Sequence, residues 1–186
     1  MRRTTHVLLL VIGFIFIAFA ILTAVFAANQ ARSVAGIEKP PDCVEPMKVD
    51  YPAPTIQLTG IAGSTVSLND HLGEVILLNT WATWCPPCRR EMPDLEAFFH
   101  THAEEGFVLL GVNVGEEMVI LAQFVNTFQL TFPIWLDPDE SALQSLNSFS
   151  LPYSIVIDRE GIVRYAWSGA TCSNVLESTI SPMLRQ

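Results

Sequence analysis

Two cysteines separated by two residues constrain this chain more than any other feature. They stand in Cys85-Pro86-Pro87-Cys88, soon after the apolar run from Val75 to Trp81. A run of this length and composition predicts a buried strand. A helix is expected to begin at the first cysteine, because prolines are tolerated in the first turn of a helix, where their fixed φ favours it. The spacing therefore predicts two thiols at a strand-to-helix junction, placed to form a reversible disulfide.

The two thiols are expected to have different roles. At a helix N-terminus, unpaired backbone N–H groups and the positive end of the helix dipole favour the thiolate of Cys85, which is the attacking species. Cys88 lies one turn further in and is expected to resolve the mixed disulfide. The alternatives are half a zinc site, a structural disulfide or two core cysteines. Zinc lacks a second ligand pair, since Cys43 and Cys172 are isolated in the sequence, so no metal and no cofactor beyond the redox-active disulfide is expected.

Further motifs accompany the cysteine pair in a fixed order. They are Trp81 to Pro93, which contains the cysteines, then Gly106 to Val114, Phe132-Pro133 with Leu136-Asp137, and Pro152 followed by Ile155 to Gly161. With these motifs, Tyr51 to Gly169 resembles the membrane-anchored, thioredoxin-fold thiol-disulfide oxidoreductases of the TlpA/ResA/DsbE type. The resemblance implies an α/β thioredoxin-like fold, with a central mixed sheet flanked by helices and an N-terminal transmembrane helix.

The resemblance also implies partners and a substrate surface. It predicts an extracytoplasmic thiol-disulfide oxidoreductase, a reductant of the cytochrome c maturation type. Its partners would be cysteine-containing exported proteins, with apocytochrome c as the family's usual substrate, and a membrane electron donor of the CcdA/DsbD type. The residues expected to contact the substrate are Trp84, Pro86, Pro87, Leu151 and Pro152, the last as the cis-proline of thioredoxin folds.

Proton transfer from Cys88 needs an acceptor. Asn79 occupies the position of the buried aspartate of thioredoxin, and an amide cannot accept this proton. Glu91 follows Cys88 by three residues and shares its helix face, at a position where the resembled family often carries an acid. We therefore predict Glu91 as a catalytic residue, the alternative being a solvated helix carboxylate.

The N-terminal residues predict export. Arg2 and Arg3 precede an uncharged run from Val7 to Ala28, which as a helix is about 33 Å long and spans a bilayer core of about 30 Å. An uncleaved anchor over residues 1–28 is favoured over a cleaved signal peptide, whose apolar region is usually shorter. The positive-inside rule then places the rest of the chain on the extracytoplasmic side. We expect a proline-containing linker over residues 29–50 and the thioredoxin-like domain over residues 51–186.

Cys43 and Cys172 are left over from the redox motif. Oxidising surroundings favour their closure into a structural disulfide. Two reduced thiols, or a bond from Cys43 to another molecule, are the alternatives.

Charge and motif content narrow the remaining function classes. The formal net charge of −9 makes nucleic acid an improbable partner. A thiol peroxidase would need Pro-x-x-x-Thr-x-x-Cys, but position 82 is Ala. A non-enzymatic copper-handling role lacks the usual wider cysteine spacing with a distant histidine.

Three further expectations concern charged side chains. Glu116 and Glu117 are interpreted as first-turn charges of a helix from about Glu116 to Phe128. His100 and His102 are interpreted as a solvated helix terminus. Arg89 is expected to be solvated as well.

Overall fold

The computed structural model describes residue 23 and residues 43–185, and within them one mixed sheet of eight strands is covered by helices. The strands are β1 (Met47–Pro52), β2 (Gln57–Gly60), β3 (Thr65–Ser67), β4 (Val75–Trp81), β5 (Phe107–Val114), β6 (Ile134–Asp137), β7 (Tyr153–Ile157) and β8 (Ile162–Ser168). The helices are α1 (Pro86–His102), α2 (Met118–Phe128), α3 (Ser141–Ser145), α4 (Ser173–Thr179) and α5 (Ser181–Leu184), with 3₁₀ turns at Leu68–His71 and Ala103–Glu105.

The sheet has the order β1-β8-β7-β4-β5-β6-β2-β3. The pairs β4–β5 and β5–β6 are parallel, and the other pairs are antiparallel. Every residue of β4 and β5 is buried, as expected for central strands covered on both faces. The predicted thioredoxin-like α/β fold is confirmed.

Strand β4 divides the core into two layers. Leu77 and Trp81 pack with α1, α2 and α4, whereas Ile76 and Leu78 pack with α3 on the opposite face. This alternation follows from the two-residue side-chain period of a strand. It also turns Asn79, between Leu77 and Trp81, towards α1.

Strand β1 corrects the predicted linker. The strand begins at Met47 and pairs with β8 through Met47–Ala166 and Lys48–Tyr165, so the last residues of the predicted 29–50 segment belong to the domain. Apolar and charged residues alternate through Lys48, Val49 and Asp50, the period of an edge strand with one face in water. The nearby prolines masked this signal.

One helix begins later than predicted, and the helices after it are short. Helix α2 begins at Met118 and not at Glu116. Helix α3 is short and ends at Ser145, and Asn147 follows with a positive φ of 53°. The C-terminal residues form two short helices, α4 and α5, with Pro182 in the first turn of α5.

The predicted anchor over residues 1–28 lies outside the described residues, apart from Thr23, as do residues 29–42 of the predicted linker. Among the residues that the structure describes, no helix has both the length and the apolar composition needed to cross a bilayer.

Candidate functional site

Cys85 and Cys88 form a disulfide where β4 ends and α1 begins, with their Cα atoms 5.3 Å apart. Cys85 is the N-cap of α1, and Pro86 and Pro87 occupy the first turn. The N–H of Cys88 points at Cys85 Sγ across 3.3 Å. This donor is one of the unpaired groups of the helix start, and it would stabilise a thiolate on Cys85.

The two sulfurs differ slightly in access. Cys85 is 3% exposed and Cys88 is fully enclosed, so an incoming thiol can reach only Cys85. Trp84, directly before the disulfide, is 67% exposed. Pro86 is exposed and Pro87 is half-buried. Three residues predicted to contact the substrate therefore flank the reachable cysteine in sequence, and none of them is buried.

Glu91 follows Cys88 by three residues on α1, and it is buried and not a solvated carboxylate. It is 1% exposed. Its Oε1 accepts a hydrogen bond of 2.9 Å from Asn79 Nδ2, and its Oε2 accepts one of 2.8 Å from the N–H of Thr171. Asn79 also donates to Ser154 Oγ at 3.0 Å. Asn79, which occupies the position of the thioredoxin aspartate, thus binds Glu91, the acid that we predict takes over its role.

Burial raises the pKa of Glu91 to about 8. The hydrogen bonds from Thr171 and Asn79 favour the charged form but do not offset the loss of water, and the charge of Asp94 adds to the increase. Glu91 is therefore mostly protonated at neutral pH when the disulfide is closed. Its pKa lies close to the ordinary value of a cysteine thiol, about 8.5.

The Leu151–Pro152 peptide bond is cis, as the resemblance implies. Pro152 is buried, its carbonyl accepts from the N–H of Gly169 at 2.9 Å, and Thr80 Oγ1 bonds both backbone groups of Tyr153. Among residues 43–185, no hydrogen bond occupies the N–H or the C=O of Leu151. These two groups are available to an extended substrate chain.

Phe149 is an exposed residue that sequence reasoning did not place at the site. Its side chain is 93% exposed on the loop before Pro152. The loop is held by Ser148, whose Oγ bonds the backbone of Ser150, and by the Ser150 Oγ–Ser168 Oγ hydrogen bond of 2.7 Å. Its position three residues before the cis-proline was the only available signal.

Glu116 also has a different place from the one predicted. It precedes α2, and its carboxylate accepts hydrogen bonds from the N–H and the hydroxyl of Thr83, two residues before Cys85. Arg89 is exposed, as expected, and its guanidinium also lies 5.3 Å from the ring centres of both Phe124 and Phe128. The spacing of these residues along the chain gave no signal for either contact.

Cys43 and Cys172 are joined in the structure, with their Cα atoms 5.8 Å apart and a sequence separation of 129 positions. Beside the bond, the N–H of Val44 donates to the carbonyl of Ala170 at 2.9 Å. The chain before β1 is thus fixed to the segment between β8 and α4.

His102 is buried and not part of a solvated terminus. Its Nδ1 lies 2.9 Å from Glu105 Oε2, and its Nε2 lies 3.3 Å from Glu177 Oε1. Burial opposes the imidazolium, but these two carboxylates outweigh it and raise the pKa of His102. His100 is exposed, as expected.

The family model described as the AhpC/TSA family matches residues 49–166. The chain belongs to the AhpC/TSA family. It is 36% identical over 125 residues to the thiol-disulfide oxidoreductase ResA of Geobacillus kaustophilus, covering 67% of this chain and 72% of that relative. ResA of Bacillus thuringiensis is 29% identical over 133 residues, covering 72% of this chain and 77% of that relative.

Solved structures agree with this family. A secreted thiol-disulfide isomerase from Corynebacterium glutamicum superposes with a TM-score of 0.71 at 25% identity, covering 79% of this chain and 96% of that one. A thiol:disulfide interchange protein of the thioredoxin family from Chlorobium tepidum gives 0.67 at 26% identity, covering 74% and 99%. The predicted class, a thiol-disulfide oxidoreductase of the ResA and DsbE type, is confirmed.

Proposed function

We propose that this chain reduces disulfides in exported proteins, with Cys85 as the nucleophile, Cys88 as the resolving thiol and Glu91 as the proton carrier. The observation that carries the proposal is the disulfide at the start of α1, followed three residues later on the same helix by a buried, hydrogen-bonded carboxyl group. Perturbed acids beside a reactive group are typical of functional sites.

In the reduced protein, the thiolate of Cys85 attacks one sulfur of the substrate disulfide. That bond breaks, a mixed disulfide forms, and one substrate thiolate leaves. Cys88 then loses its proton and attacks Cys85 Sγ, which releases the second substrate thiolate and closes the Cys85–Cys88 disulfide. Two electrons pass to the substrate, and an external dithiol donor must return them.

Glu91 serves both directions of this cycle. When Cys88 attacks, the carboxylate of Glu91 takes its proton. When a donor thiolate reopens the disulfide at Cys85, Cys88 leaves as a thiolate and the protonated Glu91 returns the proton. The transfer needs little driving force, because the pKa of Glu91, about 8, is close to that of a thiol.

The substrate is an extended protein segment that carries cysteines. Its backbone would pair with the open N–H and C=O of Leu151, beside Pro152, while its side chains contact Trp84, Pro86 and Pro87. Backbone pairing and apolar contacts do not depend on one particular substrate sequence, so this surface can accept many protein segments. The thioredoxin-like class and the ResA relatives favour the Cys-x-x-Cys-His segment of apocytochrome c as the substrate and a membrane donor of the CcdA/DsbD type as the electron source.

The same proposal places the domain outside the cytoplasm, held at the membrane by residues 1–28. The uncharged run after Arg2 and Arg3 supports an anchor. A second disulfide, between Cys43 and Cys172, fits an oxidising compartment.

Thiol-disulfide exchange is favoured over a thiol peroxidase. The residue three before Cys85 is the buried Ala82, which has no hydroxyl to offer a peroxide. Cys85 is also already paired with a resolving cysteine one turn away, which suits exchange between dithiols.

The test uses the reduced protein and a synthetic peptide with an oxidised Cys-x-x-Cys-His segment. We expect stoichiometric reduction of the peptide and closure of Cys85–Cys88, read by mass spectrometry after alkylation. The control is Cys85→Ser, which should leave the peptide oxidised. Equal peptide reduction by the wild type and by Cys85→Ser would contradict the proposal, as would peroxide consumption far faster than peptide reduction.

A further inference from the structure

The turn that leads into Cys85 is held from outside by residues far away in sequence. The carbonyl of Ala82 accepts from the N–H of Cys85 at 3.2 Å, so residues 82–85 form a turn, with Thr83 as its second residue. Glu116 accepts from the Thr83 N–H at 2.6 Å and from the Thr83 hydroxyl. On the other side, the carbonyl of Thr83 accepts from Arg89 Nη1 at 3.2 Å.

The parallel sheet brings Glu116 to this turn. Strands β4 and β5 run side by side with Trp81 opposite Asn113, so both chains leave the sheet at the same edge. Gly115 then adopts a φ of +70°, a conformation that suits glycine. Asn113 fixes the carboxylate further, because its Nδ2 donates to Glu116 Oε2 at 2.8 Å.

We propose that Glu116 is a positioning residue for the reaction, which acts on Cys85 through Thr83. By accepting three hydrogen bonds, its carboxylate fixes the turn and so keeps Cys85 Sγ at the start of α1, beside the N–H of Cys88. This inference rests on the proposed function, in which Cys85 is the nucleophile. The turn matters because small displacements of a reacting group reduce rates strongly.

The charge of Glu116 and its positioning role have opposite consequences for Cys85. A nearby negative charge disfavours a thiolate, so removal of the charge alone would make Cys85 more reactive. Loss of the turn geometry would move Cys85 Sγ away from its hydrogen-bond donor and make it less reactive. The sign of the change therefore separates the two effects.

The test measures the pH profile of Cys85 alkylation by iodoacetamide in a Cys88→Ser background. Glu116→Gln should move the midpoint of the profile upward by about one pH unit, roughly tenfold in thiolate population, because the amide cannot accept all three hydrogen bonds. Thr83→Ala should move it less, since the Thr83 N–H remains. Thr83→Ser keeps both donors and should match the parent.

Glu117→Gln is the matched control. Glu117 is the next residue and its side chain is exposed, so this variant removes one negative charge without touching the turn. It should leave the profile in place. The double variant Glu116→Gln/Thr83→Ala should shift the midpoint no further than Glu116→Gln does, since both substitutions break the same contact between Glu116 and Thr83.

A downward shift in Glu116→Gln, a shift equal to that of Glu117→Gln, or additive single effects would overturn the inference. If the midpoint of the parent profile lies below the ordinary thiol value and Glu116→Gln does not change it, only the positioning role of Glu116 is overturned. A parent midpoint at the ordinary thiol value removes the proposed function as well.

Discussion

The two disulfides of this chain have the same covalent chemistry in different surroundings. Cys85–Cys88 spans three positions at the start of a 17-residue helix, with a buried acid nearby. Cys43–Cys172 spans 129 positions and joins two irregular segments, before β1 and before α4. Only the first combines a hydrogen-bond donor to a sulfur with a proton carrier. These neighbours, and not the bond itself, separate a reactive disulfide from a structural one.

The two regions are nevertheless connected. The Thr171 N–H that binds Glu91 stands directly before Cys172. Gly169 lies against Val44, so closely that a Cβ at position 169 would come within 2.6 Å of Val44 Cγ2. The Cys43–Cys172 bond therefore lies next to the segment that holds the acid of the redox site, and the hydrogen bond from the Val44 N–H to the Ala170 carbonyl also holds that segment.

The largest expected effect is on thiol-disulfide exchange, which should depend on Cys85 and Cys88 but not on the Cys43–Cys172 disulfide. Cys85→Ser should reduce peptide exchange to the uncatalysed level, because no nucleophile remains. Cys88→Ser should accumulate mixed disulfides, visible on non-reducing gels. The double variant Cys43→Ser/Cys172→Ser should retain exchange. Loss of exchange in that double variant, with the fold intact by circular dichroism, would remove the division of roles.

For stability the order of the two disulfides should be reversed: loss of Cys43–Cys172 should destabilise the fold more than loss of Cys85–Cys88. Opening the 129-residue loop by Cys43→Ser/Cys172→Ser should lower the free energy of unfolding by up to about 4–5 kcal/mol in the chain-entropy model. Opening the short loop by Cys85→Ser/Cys88→Ser should cost about 2 kcal/mol or less in the same model. Urea unfolding of both variants measures the difference, and the reverse order would contradict the structural role.

Glu91 should control the second chemical step. Glu91→Gln keeps the shape and the contact with Asn79 but cannot carry a proton, so release of substrate from the mixed disulfide should slow by about 100-fold. Stopped-flow measurement of the release step checks this, with formation of the mixed disulfide as the internal reference. Unchanged release across the pH range would return Glu91 to a packing role.

The last effect is a gradual one, the slope of stability against pH in the oxidised protein. The pKa of Glu91 is about 8 in the folded protein, against 4.5 for an ordinary glutamate side chain, so the folded state binds an extra proton between these pH values. Its contribution is complete below the lower value and is lost as the pH rises towards 8, at up to about 1.4 kcal/mol per pH unit. Urea unfolding at several pH values should show this slope in the wild type and in the exposed control Glu104→Gln, but not in Glu91→Gln.

The features that sequence predicted are the ones encoded locally. The apolar runs of β4 and β5, and the prolines between the cysteines, mark strands and a helix start without reference to distant residues. The contact of Glu116 with Thr83 spans 33 positions, and no periodicity encodes it. Likewise, the burial of His102 depends on Glu177 in a different helix, and β1 is exposed on most of its length, so its apolar pattern is weak.

The most direct test of the account is the equilibrium potential of Cys85–Cys88 in the otherwise intact chain, titrated against dithiothreitol and glutathione with Cys43–Cys172 closed. A reductant of exported proteins should equilibrate near the thioredoxin value of about −270 mV. A potential near about −120 mV, the value of a strong oxidant, would contradict the account, because the protein would then introduce disulfides into its substrates.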